Sequence, residues 1–199
     1  MERILIIGGV AAGATAAARA RRVSSEAEIT VLEAGPDISF ANCGLPYYIG
    51  GDVDRRSKLI LQSPESFREQ YDVRVEVETE VISIDREGRS VRALQKRSGE
   101  EVEFPYDSLI LAQGGKPFVP PIPGVDKEHV MSLWTLRDMD AIEHHIESHE
   151  PTSAVVVGGG FIGLEMVEAL GKRGMHVSLV ERLPHVMPNM EPEIAGYLT

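Results

Sequence analysis

The sequence is poor in cysteine and in positive charge, and it lacks any long apolar run. Cys43 is the only cysteine among 199 residues. No disulfide can form within the chain, so a redox role needs a partner thiol, a small disulfide or a cofactor. Lys and Arg number 20 against 31 Asp and Glu, giving a net charge of −11. That balance argues against a nucleic-acid partner, because affinity for phosphates needs clustered cations. No run of roughly 18 apolar residues occurs, so no membrane span is expected.

What is there suits a folded soluble protein. Hydrophobic residues make up 43% and charged residues 26%, and the length allows one to two domains of about 100–200 residues. Ile4 to Ala18, behind Arg3, is weakly polar and ends in small residues, a layout shared with secretory signals. Gly8-Gly9 interrupts it and a phosphate-binding turn accounts for the same residues, so a cytoplasmic protein is expected.

Residues 3–7 read as a buried strand, Gly8 to Gly13 as a turn, the Ala-rich stretch to Val23 as a helix, and 29–33 as a second strand. This is the repeating unit of a parallel sheet. It returns as strand 154–157, turn 158–163, helix 164–173 and strand 177–181. Between the copies, Ser63-Pro64-Glu65-Ser66 opens a short helix. Residues 73–104 alternate in twos and read as an antiparallel meander. Ser108 to Ala112 is a strand, 116–124 an extended Pro-rich connection, 135–150 a helix, and Pro151-Thr152-Ser153 the expected boundary. A doubly wound domain needs more strands than follow Ser153, so the chain is expected to be the N-terminal part of a longer protein, without turnover of its own.

A glycine turn between strand and helix lets backbone approach a pyrophosphate at the helix N-terminus. An acid about 20 residues later accepts hydrogen bonds from a ribose. Gly13 stands 20 residues before Glu33, and Gly163 stands 18 before Glu181. The two turns, Gly8-Gly9-Val10-Ala11-Ala12-Gly13 and Gly158-Gly159-Gly160-Phe161-Ile162-Gly163, therefore suggest two nucleotide cofactors. Val10 replaces the usual middle glycine in the first. Glu181 favours a free 2′-hydroxyl and hence NADH, whereas Arg182 could receive the 2′-phosphate of NADPH.

Cys43 lies in Ser39-Phe40-Ala41-Asn42-Cys43-Gly44-Leu45-Pro46-Tyr47-Tyr48. Asn42 is a good cap and Pro46 is tolerated only in a first turn, so Cys43 is expected at a helix N-terminus, a position that favours a thiolate. An inert cysteine stays the alternative on position alone. This segment, the paired glycine turns, Ser63-Pro64-Glu65-Ser66-Phe67 and Tyr106-Asp107-Ser108-Leu109-Ile110-Leu111-Ala112 together resemble the pyridine nucleotide-disulfide oxidoreductases. The likeness is strongest to the coenzyme A-disulfide reductases and NADH-dependent polysulfide or persulfide reductases.

The resemblance implies an α/β chain. Residues 1–150 would be a Rossmann-like FAD-binding domain with an inserted antiparallel meander, and 151–199 the start of a second Rossmann-like, NAD(P)H-binding domain. It implies FAD at Gly8, Gly9, Val10, Ala11, Ala12, Gly13, Glu33, Val81, Ala112 and Gly114. NADH, or NADPH, would meet Gly158, Gly160, Phe161, Ile162, Gly163, Glu165 and Glu181. Cys43 would be the redox cysteine, forming a mixed disulfide with coenzyme A disulfide or a polysulfide while electrons pass from nicotinamide through flavin. Thr15, Arg19 and Arg22, spaced along one helix face, would bind substrate with Ser39 and Asn42; a solvated basic face is the alternative. Ala12, Ala16 and Ala20 would pack toward the sheet. A homodimer is implied for the full-length protein.

NADH oxidases and peroxidases also use one cysteine, as a sulfenic acid, but carry a histidine where Ala11 stands. A flavin-binding module without chemistry of its own is the third reading. His144, His145 and His149 include a metal-compatible spacing, yet on a polar helix they read as solvated, and no metal is expected. Trp134 and the methionines near Met187 read as packing. Tyr47 and Tyr48 fit a substrate channel or the core equally well.

Overall fold

The computed structural model describes residues 1–198. In chain order the strands and helices are β1 (Arg3–Ile7), α1 (Ala11–Val23), β2 (Glu28–Leu32), α2 (Leu45–Ile49), α3 (Pro64–Tyr71), β3 (Arg74–Glu76), β4 (Thr79–Asp85), β5 (Ser90–Gln95), β6 (Glu100–Pro105), β7 (Ser108–Leu111), α4 (Leu136–His149), β8 (Ser153–Val157), α5 (Phe161–Lys172), β9 (His176–Val180) and α6 (Pro192–Ala195). They divide into two compact units. One holds Met1–Ala41 with Ile60–Gly115; the other holds Asn42–Leu59 with the chain from Lys116 onward.

In the first unit a parallel sheet runs β3-β2-β1-β7 and a separate antiparallel sheet runs β4-β5-β6. The parallel sheet is covered on both faces, which is why its strands read as continuous aliphatic runs. Ile6, Ile29, Val31 and Val75 pack with α1 and with Phe67 of α3. On the opposite side Leu5, Ile7 and Leu32 meet Val91, Ala93, Phe104 and Tyr106 of the meander and its edge. Ile6 has no exposed surface, and burying such a side chain contributes about 1.5–3 kcal/mol.

The structure corrects two local expectations here. Residues 74–76 do not join the meander; they form β3, paired in parallel with β2, because Val73 and Val75 bury into the α1 side of the core. On α1 the buried face is Gly13, Ala14, Ala17 and Ala18. Ala16 and Ala20 pack only partly against the core, and Ala12 is exposed. The helix approaches the sheet through residues one or two positions from those expected, a rotation that alanine periodicity cannot resolve when nearly every position is small. The cap of α3 is as expected: Ser63 accepts from the Ser66 N–H and the Ser66 hydroxyl accepts from the Ser63 N–H.

In the second unit β8 and β9 pair in parallel, and α5 packs on them. Thr135 caps α4 in a reciprocal box with Asp138; Trp134, expected to pack, is 41% exposed. Residues 42–59 belong here too, although the sequence places them inside a 1–150 domain. Helix α2 packs on α4 and α5, with Leu45 and Ile49 fully buried. Gly50 lies so close to α5 that an added Cβ would sit 3.1 Å from the Ala169 Cα. Lys172 bonds Asp52 at 2.8 Å, Arg173 donates to the Ile49 carbonyl at 3.0 Å, and Arg56 forks onto Asp140 at 2.8 and 2.9 Å. Half-exposed ion pairs contribute under about 1 kcal/mol each, so the two buried aliphatic side chains hold the segment and the polar ties set its register.

Candidate functional site

The two glycine turns are built alike, each within its own unit. In the first, Gly8 has φ +99°, donates to the Leu32 carbonyl at 2.8 Å, and approaches Ala112 so closely that a Cβ would lie 2.2 Å from its carbonyl oxygen. In the second, Gly158 has φ +108° and donates to the Val180 carbonyl at 2.8 Å. Any side chain on Gly13 or Gly163 would strike the carbonyl of Gly8 or Gly158, at 1.7 and 1.9 Å. Those two glycines let the turn close onto the helix. The first N–H groups of α1 and α5 have no carbonyl one turn earlier in the helix to bond, and they stand at the positive end of the helix dipole.

The acids after β2 and β9 brace these turns. Glu33 accepts the Gly9 and Gly35 N–H groups, both at 2.7 Å. Glu181 accepts the Gly159 N–H at 2.7 Å and the Leu183 N–H at 2.8 Å. The Leu183 and Gly159 donors hold the Glu181 carboxyl below the usual carboxylate range. Beyond each acid the chain returns in a left-handed residue whose N–H donates to the turn: Ser39 (φ 45°) to Gly9 at 2.9 Å, Met187 (φ 49°) to Gly159 at 2.7 Å. Ser39 was expected to face substrate, and Met187 to pack, as its 1% exposure shows it does. Their shared backbone role was readable only by laying one copy over the other, since each stands six residues after its acid.

One position differs in kind. A Cβ on Gly160 would meet nothing within 4 Å, and Val10 carries a side chain at the corresponding place. The residues thus fit a phosphate-bearing dinucleotide at each turn, with Gly160 leaving the second more open. Of the other positions assigned to the first cofactor, Ala112 stands beside Gly8 and Gly114 is open with φ +68°. Val81 packs partly buried against the meander side of the core, next to a register shift in β4.

Cys43 is exposed. It lies in a single 3-10 turn, Asn42–Gly44, and α2 begins only at Leu45, with Gly44 at its cap and no side-chain cap bond. The expectation that Asn42 caps the helix is therefore corrected: Asn42 Oδ1 instead accepts from the Cys43 N–H at 3.2 Å and lies 3.8 Å from its sulfur. Pro46 is the physical reason: with Asn42 as the cap, its missing N–H would be the one needed to bond the Asn42 carbonyl, so the helix starts later and Cys43 stands before it rather than in its first turn. Tyr47, 41% exposed, donates its hydroxyl to Glu165 Oε1 at 3.2 Å, and the Glu165 carboxylate raises its pKa. Thr15, Arg19 and Arg22 share an exposed face of α1, while Arg21 is consumed by the carbonyls of Tyr71, Asp72, Ser24 and Ser25.

The family model for pyridine nucleotide-disulphide oxidoreductases matches residues 2–199. The chain belongs to that family. Within it, the chain is 38% identical over 195 residues to a coenzyme A disulfide reductase of Staphylococcus haemolyticus, covering 98% of this chain and 43% of the relative. It is 37% identical over 194 residues to an NADH oxidase of Methanocaldococcus jannaschii, covering 97% and 43%. The crystal structure of reduced Bacillus anthracis CoADR-RHD superposes with a TM-score of 0.95 at 44% identity, covering 99% of this chain and 36% of that one. The chain spans under half the length of these oxidoreductase relatives. Its α/β architecture of parallel and antiparallel sheets is the family's.

Among the described residues no helix is long and apolar enough to cross a membrane. Nor, among the described residues, is any group of three or more His, Cys, Asp and Glu arranged to hold a metal. The His145 and His149 rings stack at 4.3 Å.

Proposed function

We propose that the protein is an FAD-dependent oxidoreductase that uses NAD(P)H to reduce coenzyme A disulfide or a related persulfide or polysulfide through Cys43. The observation that carries this reading is the pair of matched, acid-braced glycine turns in a chain whose lone cysteine is exposed. FAD would sit at Gly8–Gly13 with Glu33, Ala112 and Gly114, and NAD(P)H at Gly158–Gly163 with Glu165 and Glu181. Bound FAD supplies two-electron exchange between the nicotinamide and a disulfide. The Cys43 thiolate attacks one sulfur of the substrate; that S–S bond breaks, a Cys43–substrate disulfide forms, and the other half leaves as a thiolate. Thr15, Arg19, Arg22, Ser39 and Asn42 would bind the substrate, with the arginines on its phosphates.

An NADH oxidase reading is favoured by one specific likeness, the Methanocaldococcus relative. The two separate by electron acceptor. In the intact protein, NADH consumption should depend on added coenzyme A disulfide or polysulfide, and Cys43→Ser should abolish it while NADH still bleaches the flavin. Consumption that depends on oxygen alone would favour the oxidase.

A further inference from the structure

The cysteine segment is tied to the helix that follows the second glycine turn. Toward its C-terminal end the ties are Arg173 to the Ile49 carbonyl and Lys172 to Asp52. Nearest to Cys43 stands a different one, the Tyr47 hydroxyl on Glu165. Tyr47 lies four residues after Cys43, on a helix of only five residues that follows the 3-10 turn of Cys43. Glu165 lies one turn into α5, whose first residues are Phe161 and Ile162 of the glycine turn.

From this placement we infer that Tyr47 is a positioning residue that couples occupancy of the second glycine turn to the reactivity of Cys43, acting through Glu165. The inference rests on the reading of that turn as the pyridine nucleotide site. Glu165 is an anion close to where a pyrophosphate would stand, so a bound dinucleotide changes the field at its carboxylate. The hydrogen bond to a neutral Tyr47 is the contact through which that change reaches α2. The phenol is a donor at neutral pH, and the Glu165, Glu168 and Asp52 carboxylates raise its pKa further. Gly50, flush against Ala169, and the buried Ile49 anchor the far end of the segment. Leu45 is buried as well, so a change at the exposed Tyr47 turns α2 about its buried face and reaches Cys43 through the adjoining 3-10 turn.

The test measures alkylation of Cys43 by iodoacetamide in the intact FAD-loaded protein, read by peptide mass spectrometry, with and without saturating NAD⁺. The oxidised nucleotide occupies the turn without delivering electrons. Wild type should show a rate change of about fivefold or more, the lower end of ordinary coupling between sites. Tyr47→Phe keeps the ring and removes the hydroxyl; its rates with and without NAD⁺ should converge. Lys172→Ala breaks a neighbouring tie and should keep the wild-type ratio. Equal loss in both variants would mean that the contact is merely structural and would overturn the coupling. So would a Tyr47→Phe protein with the wild-type ratio, or wild type that binds NAD⁺ with no change at Cys43. Failure of wild type to bind NAD⁺, in direct titration, would overturn the nucleotide reading itself.

Discussion

Two glycines three residues apart in the second turn should respond to the same substitution in opposite ways. At Gly163 an added methyl would lie 1.9 Å from the Gly158 carbonyl oxygen, roughly 1.5 Å short of an ordinary contact. That oxygen cannot yield cheaply. Gly158 is fixed by its bond to Val180 at 2.8 Å, and the adjoining Gly159 by Glu181 at 2.7 Å. Gly163→Ala must push α5 away from β8, and overpacking of this kind costs about 1–3 kcal/mol or more. With about 2–4 °C lost per kcal/mol in a domain of this size, the melting temperature should fall by roughly 2–12 °C. At Gly160 φ is −81°, a Cβ meets nothing within 4 Å, and Val10 shows that the turn accepts a side chain there. Gly160→Ala should therefore stay within about 0.5 kcal/mol of wild type. Its methyl would instead project into the space assigned to NAD(P)H and raise the Kd for the nucleotide. Thermal denaturation followed by circular dichroism, paired with nucleotide titration, measures both effects. Equal destabilisation by the two variants would refute the division between a glycine that closes the turn and one that opens it to a ligand.

Glu181 has its pKa depressed in the folded protein from a usual 4.5, so its stabilisation is present above that pH and lost as the pH falls through the folded value. The gap in melting temperature between wild type and Glu181→Gln should hold steady above about pH 4.5 and close below it; a gap unchanged in stronger acid would contradict the brace. The same carboxylate should give the intact protein a higher kcat/KM for NADH than for NADPH, and a reversed ratio would hand control to Arg182. Replacing Arg19 and Arg22 by Ala should raise KM for coenzyme A disulfide about tenfold, from two charge-assisted contacts reduced by solvent. Turnover of a small polysulfide should be spared, and equal damage to both substrates would make that face structural. Ile6→Ala should cost about 2–5 kcal/mol, measured by denaturant titration, because Ile6 is wholly buried.

Much of this fold is decided locally, and that part is legible in the sequence. Strand, glycine turn, helix and acid follow one another within about 30 residues, so Gly8–Gly13 with Glu33 and Gly158–Gly163 with Glu181 can be read off spacing alone. Capping is equally local, and Ser63 and Thr135 begin their helices where expected. Tertiary structure decided what depends on distant partners. Residues 74–76 could have continued an alternating meander, and only their pairing with β2 placed them in the parallel sheet. Alanine periodicity leaves the rotation of α1 open because its positions are nearly equivalent in volume, so contact with the sheet selected Gly13, Ala14, Ala17 and Ala18. Asn42 looked like a cap, but the start of α2 was set by Pro46 and by burial of Leu45 and Ile49 against α4 and α5. The bond from Tyr47 to Glu165 joins residues 118 apart. No local pattern contains such a pairing, because it exists only once α2 has packed onto α5.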